Sequence, residues 1–97
     1  MYARVTSLHF ESVKFDQAIK LFRESIVPTA QEQPGYRGLF LLTDRNTGKA
    51  LSLALWASEK EAYDNEHSGY YQEQTDKLMD YVVSPPVRED YRLTVRA

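Results

Sequence analysis

The sequence predicts an α+β fold, in which a single four-stranded antiparallel sheet carries helices on one face. Three observations lead there. Segments of alternating polar and apolar residues are interleaved with segments of helical spacing, in the order β-α-β-β-α-α-β. With 97 residues there is room for one core, so residues 1–97 read as a single domain. The two middle strands are joined by a four-residue loop, which makes them antiparallel neighbours, and right-handed crossovers then favour the ferredoxin-like split βαβ arrangement.

Tyr2 to His9 reads as the first strand, with Val5 and the β-favouring Thr6. Phe15 to about Gln33 reads as a helix, because Phe15, Ala18, Ile19, Phe22 and Ile26 fall on one face. Ser12 or Asp16 is its candidate N-cap, Pro28 should kink it or end its regular part, and Pro34-Gly35 should close it. Strands follow at Tyr36–Asp44 and Lys49–Ala57, on either side of Arg45-Asn46-Thr47-Gly48, with Gly in the slot that tolerates positive φ. Ser58 and Glu61 have the spacing of a capping box for a helix running to about His67, broken by Ser68-Gly69. A third helix is expected from Tyr71 to about Val82, stopped by Pro85-Pro86. Val87 to Arg96 alternates as the last strand.

Composition excludes several classes. At 42% hydrophobic and 27% charged, the chain is neither disordered nor fibrous. No apolar run approaches the roughly 20 residues of a membrane helix. The opening MYARVTSLHF lacks the basic region and apolar core of a signal peptide, and a chain without cysteine fits the cytoplasm. It has no thiolate nucleophile, disulfide or zinc-thiolate site. Basic residues are scattered at a net charge of −2, so no nucleic-acid footprint is visible. The segment Glu59 to Asp80 carries a local excess of acids, which reads as a solvated helix face.

The middle strands are apolar on both faces. Leu51, Leu53 and Leu55 oppose Ala50, Ala54 and Trp56 on one strand, and Phe40 and Leu42 oppose Leu39 and Leu41 on the other. The helices can cover only one face, so the second is expected to pack on another copy of the chain in a homodimer. The alternative is that Arg4, Arg92 and Arg96 snorkel over it.

Gln33-Pro34-Gly35-Tyr36-Arg37-Gly38, the apolar hairpin, and Leu55-Trp56-Ala57-Ser58-Glu59-Lys60-Glu61-Ala62 together resemble the antibiotic biosynthesis monooxygenase-like family, over nearly the whole chain. The resemblance implies a dimeric α+β barrel with a small pocket between each sheet and its helices. Some members oxidise electron-rich aromatics such as anthrones or quinols with O2, using neither metal nor flavin, so no cofactor is expected. Other relatives have isomerase roles or no known activity. The heme-degrading branch uses an Asn on the first strand, a Trp within the second helix and a His on the third. Here the first strand has Thr6 and Ser7, the second helix Asn65 and Glu66, and the third helix no His, which disfavours that chemistry.

Cofactor-free oxygenation needs a base, donors for the resulting anion and a dry pocket. His67 is the candidate base, since an imidazole titrates near working pH. It could equally satisfy carbonyls at its helix end. Tyr63 and Tyr70 are candidate donors, and Tyr71 nearby reads as packing. Trp56, Phe22 and Phe40 are candidate ligand contacts, with Trp56 readable as core as well. His9 reads as a solvated loop residue, and no spacing links it with His67 in a metal site. The two readings carried forward are a small monooxygenase-like enzyme and a dimeric ligand-binding or accessory protein without chemistry.

Overall fold

The computed structural model describes all residues from Met1 to Ala97. Four strands, β1 (Tyr2–His9), β2 (Tyr36–Asp44), β3 (Lys49–Trp56) and β4 (Val87–Arg92), form one sheet in the order β2-β3-β1-β4. Every neighbouring pair is antiparallel. The helices are α1 (Phe15–Leu21), α2 (Val27–Gln31), α3 (Glu59–His67) and α4 (Tyr70–Leu78). Short 3-10 turns at Ser12–Lys14 and Met79–Tyr81 flank α1 and α4. The ferredoxin-like α+β architecture expected from the sequence is the one observed.

Register decides which side chains meet the helices. Arg4, Thr6 and Leu8 of β1 pair with Ala54, Ser52 and Ala50 of β3, and these pair in turn with Leu39, Leu41 and Thr43 of β2. All of these project to the helical face. Leu8, Phe10, Phe15, Ala18, Phe22, Ile26, Ala50 and Leu78 form the core there. Phe10 and Phe15 meet edge-on at 6.0 Å. Small residues on β3 let the helices approach, and Ala18 is fully buried at that contact.

The alternate residues make the outer face. Phe40 lies opposite Leu53 and Leu42 opposite Leu51, with Val87 and Tyr91 farther across the sheet. Phe40, Leu42, Leu51, Val87 and Tyr91 are all exposed in the single chain. Arg4 does not snorkel over this face. It projects to the helical side and is 3% exposed, and Arg92 shares its side through the pairing with Tyr2.

The long first helix is not uniform. Between α1 and α2, Phe22–Ile26 winds as a π-helical turn. Pro28 follows in the first turn of α2. Proline has no N–H to give the carbonyl four residues earlier, and the wider turn absorbs the break without stopping the helix. The helix ends at Gln31, two residues short of the expected end. The last strand is also shorter than its sequence pattern. Arg92 pairs with Tyr2, and Leu93 N–H donates to Met1 O at 2.9 Å, so β1 offers nothing further to Thr94–Arg96. Gly48 is needed where it stands: its φ is +79°, and a Cβ there would lie 2.6 Å from the Phe10 carbonyl oxygen. The Ser58 hydroxyl caps α3 by accepting from Glu61 N–H, while donating to the Glu61 carboxylate. No helix is long and apolar enough to cross a membrane.

Candidate functional site

A cavity of about 50 Å3 lies between the helical face of the sheet and the helices. Phe22 and Ile26 reach it from the π turn, Trp56 from the end of β3, and Tyr70, Tyr71 and Gln74 from α4. Phe22 and Ile26, expected on one helix face, point to the same space, and the π turn that carries both was not read from the sequence. π turns are rare and concentrate at functional sites.

Trp56 is 1% exposed and serves as core and pocket wall together. Tyr36 and Tyr70 meet its ring edge-on at 6.4 and 6.0 Å. Burial pushes the Tyr70 phenol up to about 12, with the Arg4 charge pulling slightly the other way. Tyr70 therefore stays protonated at neutral pH and can donate a hydrogen bond into the pocket. The hydroxyls of Tyr71 and Thr6 pair at 3.0 Å.

Arg4 closes one end. Its Nη1 donates to Asn65 Oδ1 at 3.0 Å and its Nη2 to the Ala62 carbonyl at 2.8 Å. The guanidinium lies over the Tyr71 ring at 4.7 Å, and Asp90 and Glu66 stand 3.7 and 3.9 Å away. Burial lowers the Arg4 pKa from its ordinary value, and the two carboxylates oppose that shift. Arg88 completes the cluster, bridging Glu66 at 2.6 Å and Asp90 at 3.2 Å.

The Arg88 hydrogen bond holds the Glu66 carboxyl below its usual 4.5. A depressed folded-state pKa stabilises the fold above the unfolded value and loses that contribution as pH falls through the folded one. Stability should therefore decline on acidification below about pH 4.5, the ordinary Glu66 value. Denaturant midpoints measured across that range should show a shallower decline in Arg88→Met. An identical slope in both proteins would show that the pair does not govern it.

Three of the expected site residues lie elsewhere. His67 is exposed, its Nδ1 is 2.9 Å from the Tyr63 carbonyl, and its ring stacks on Tyr63 at 3.7 Å. Tyr63 is 57% exposed, and neither residue lines the cavity. Ala62 and Asn65 are the buried residues of α3, and a 3.6-residue period carries Tyr63 and His67 to the far side. The expectation of His67 as base and Tyr63 as donor beside the pocket is corrected accordingly. Phe40 is 54% exposed on the outer sheet face, since strand alternation opposes it to Leu39 and Leu41. It does not contact the pocket. Tyr70, Trp56 and Phe22 do line it.

The cavity is lined by no carboxylate and no imidazole. Nor do any three His, Asp or Glu side chains of the chain group closely enough to hold a metal ion. Sequence reading assigned no buried place to Arg4, Asn65 or Gln74, three polar residues that the fold buries in this region.

Comparison with solved structures fixes the architecture. A monooxygenase from the gene ActVA-Orf6 of Streptomyces coelicolor, solved in complex with Nanaomycin D, superposes with a TM-score of 0.82 at 14% identity, over 99% of this chain and 89% of that one. A structure described as antibiotic biosynthesis monooxygenase gives 0.76 at 11% identity, over 98% and 100%. The chain has the antibiotic biosynthesis monooxygenase fold. SnoaB, a cofactor-independent oxygenase from Streptomyces nogalater, shares this monooxygenase fold with a TM-score of 0.69 at 14% identity, over 99% and 93%. No family model matches the chain. Two uncharacterized proteins of Mycobacterium tuberculosis, Rv2558 of strain H37Rv and MT2635 of strain CDC 1551, are each 32% identical over 56 residues, 58% of this chain. The chain spans about a quarter (24%) of the length of these curated relatives.

Proposed function

We propose that the chain is a cofactor-independent monooxygenase that oxidises a small electron-rich aromatic or quinol at the cavity between sheet and helices. The observation that carries this reading is the aromatic, largely buried cavity holding a protonated Tyr70 beside Trp56. It occurs in a fold shared with a cofactor-independent oxygenase. In such a reaction the substrate supplies all the electrons. For an anthrone, two C–H bonds of the ring methylene become a C=O, and the second oxygen atom of O2 leaves as water.

With no carboxylate or imidazole lining the cavity, the substrate gives up its proton to solvent before it enters and reacts as its anion. Tyr70 donates to the developing oxyanion, and the low-polarity walls exclude competing water. The closed cavity is far below the roughly 300 Å3 at which ligand pockets begin. Entry of a ring system therefore requires α4 or the π turn to move outward. The protein works as a homodimer joined through the outer sheet faces, which supports the walls of the cavity from behind.

Oxygen uptake with an anthrone, without added metal or flavin, tests the assignment. Tyr70→Phe should lower turnover by about 10²-fold, the cost of one oxyanion donor. His67→Ala should leave turnover unchanged. A large loss in His67→Ala, with Tyr70→Phe unaffected, would place the chemistry on the outer face of α3 instead.

A further inference from the structure

The buried polar atoms left without partners have one chemical character. Arg4 Nε, Trp56 Nε1, Asn65 Nδ2 and Gln74 Nε2 are all donors. Three of them belong to residues that line the cavity, Arg4, Trp56 and Gln74; Arg4 Nε faces Asp90 Oδ1 at 3.7 Å, which leaves the two neutral donors with no opposing group. A donor buried without an acceptor costs free energy that folding alone does not recover, so native chains rarely keep one without a use.

The Gln74 amide is held in one orientation. Its Oε1 accepts from Lys77 Nζ at 2.9 Å, which leaves the NH2 end free of any acceptor in the chain. The side chain is 6% exposed, so bulk water does not serve it. The indole N–H of Trp56 is in the same condition on the opposite side of the cavity, on β3 rather than α4. The net charge nearby is balanced, since Arg4 and Arg88 face Glu66 and Asp90. A pocket with idle neutral donors and compensated charges recognises an acceptor atom more than it recognises a full charge.

We infer that the cavity binds an oxygen acceptor of a planar ligand, a carbonyl or phenolate oxygen, through Trp56 Nε1 and Gln74 Nε2, and that Gln74 sets this specificity. The inference rests on the proposed pocket but not on turnover. An acceptor oxygen fits the present volume, and the attached ring displaces α4 or the π turn. Lys77 is a positioning residue, because it fixes which end of the Gln74 amide faces inward.

Trp56 is the only tryptophan, so its fluorescence reports binding at this cavity. The probes are 1,4-naphthoquinone, with neutral carbonyl acceptors, naphthalene, with none, and 4-nitrophenol on either side of its own ionisation. Naphthoquinone should bind about tenfold more tightly than naphthalene, as expected for one or two hydrogen bonds. Gln74→Leu should erase most of that ratio. Gln74→Glu, which keeps the shape but offers a carboxylate, should also erase it and should weaken ionised 4-nitrophenol further; thermal melts establish that both variants are folded. If ionised 4-nitrophenol binds and naphthoquinone gains nothing over naphthalene, phenolate is the acceptor recognised. Equal affinity for all probes, unchanged in both variants, would overturn the inference while leaving the pocket reading in place. Binding of none of them would overturn both. Acceptor-selective binding without oxygen uptake would uphold the inference and overturn the oxygenase reading alone.

Discussion

Replacing Arg4 by methionine is expected to lower the unfolding free energy by about 3 kcal/mol, the low end for breaking a buried ion pair by removing one partner. Methionine retains much of the apolar stem, so the loss comes from the head group. The Ala62 carbonyl and Asn65 Oδ1 lose their donors inside the structure. Glu66 and Asp90 keep Arg88 but lose their second cation. Partial exposure of these two carboxylates keeps the cost from reaching the upper end of the range. Urea denaturation should show the loss as a lower midpoint at unchanged slope. Arg4→Lys should fall between the two, because an ammonium keeps the charge but cannot span Asn65 and Ala62 as the planar fork does. A loss in Arg4→Met within the about 1 kcal/mol of an ordinary surface pair would show that α3 is anchored to β1 by other contacts.

The second large effect concerns the outer sheet face. Leu42 and Leu51 lie directly opposite each other on β2 and β3, exposed in the single chain. Burying a leucine contributes about 1.5–3 kcal/mol, and a two-fold interface counts each position twice. The double variant Leu42→Asp/Leu51→Asp should therefore turn a dimer into a folded monomer in sedimentation equilibrium, with far-ultraviolet dichroism unchanged. A wild-type chain that sediments as a monomer would overturn the dimer assignment. A double variant that remains dimeric would move the interface elsewhere. The expected helix-facing core should be untouched, because strand alternation keeps these leucines away from Leu39, Leu41 and Ala50.

How much of this was legible in the sequence depends on the element. Strand alternation is a strict two-residue period, so the opposition of Phe40 and Leu42 to Leu39 and Leu41 could be read directly, and with it the two apolar faces. The same rule, applied consistently, already excluded Phe40 from a pocket on the helical side. The Ser58–Glu61 pair marked the start of α3 because capping chemistry is local. The rotation of α3 was not legible in the same way. Only Ala62 and Asn65 are buried on it, so no apolar stripe fixes which side faces the sheet. His67 and Tyr63 could be assigned to either side, and the actual orientation turns on Asn65 meeting Arg4, a contact across 61 positions of sequence. The π turn was hidden for another reason. Pro28 announced a disturbance, but whether a helix kinks, stops or widens is decided by the packing of Phe22 and Ile26. Nothing in the sequence marks Gln74, and its burial follows from where α4 lies on the sheet.

The strand order also dictates how the chain reaches this state. The β2–β3 hairpin is closed by only four intervening residues and can form from local contacts alone. Strand β1 is synthesised first yet occupies an interior position, between β3 and β4, whose partners come some forty and eighty residues later. Contacts of such long range are slow to form because loop-closure entropy must be overcome before they stabilise anything. On a ribosome, β1 could cover the β3 edge as soon as the hairpin emerged, and its own other edge would stay open until β4 followed.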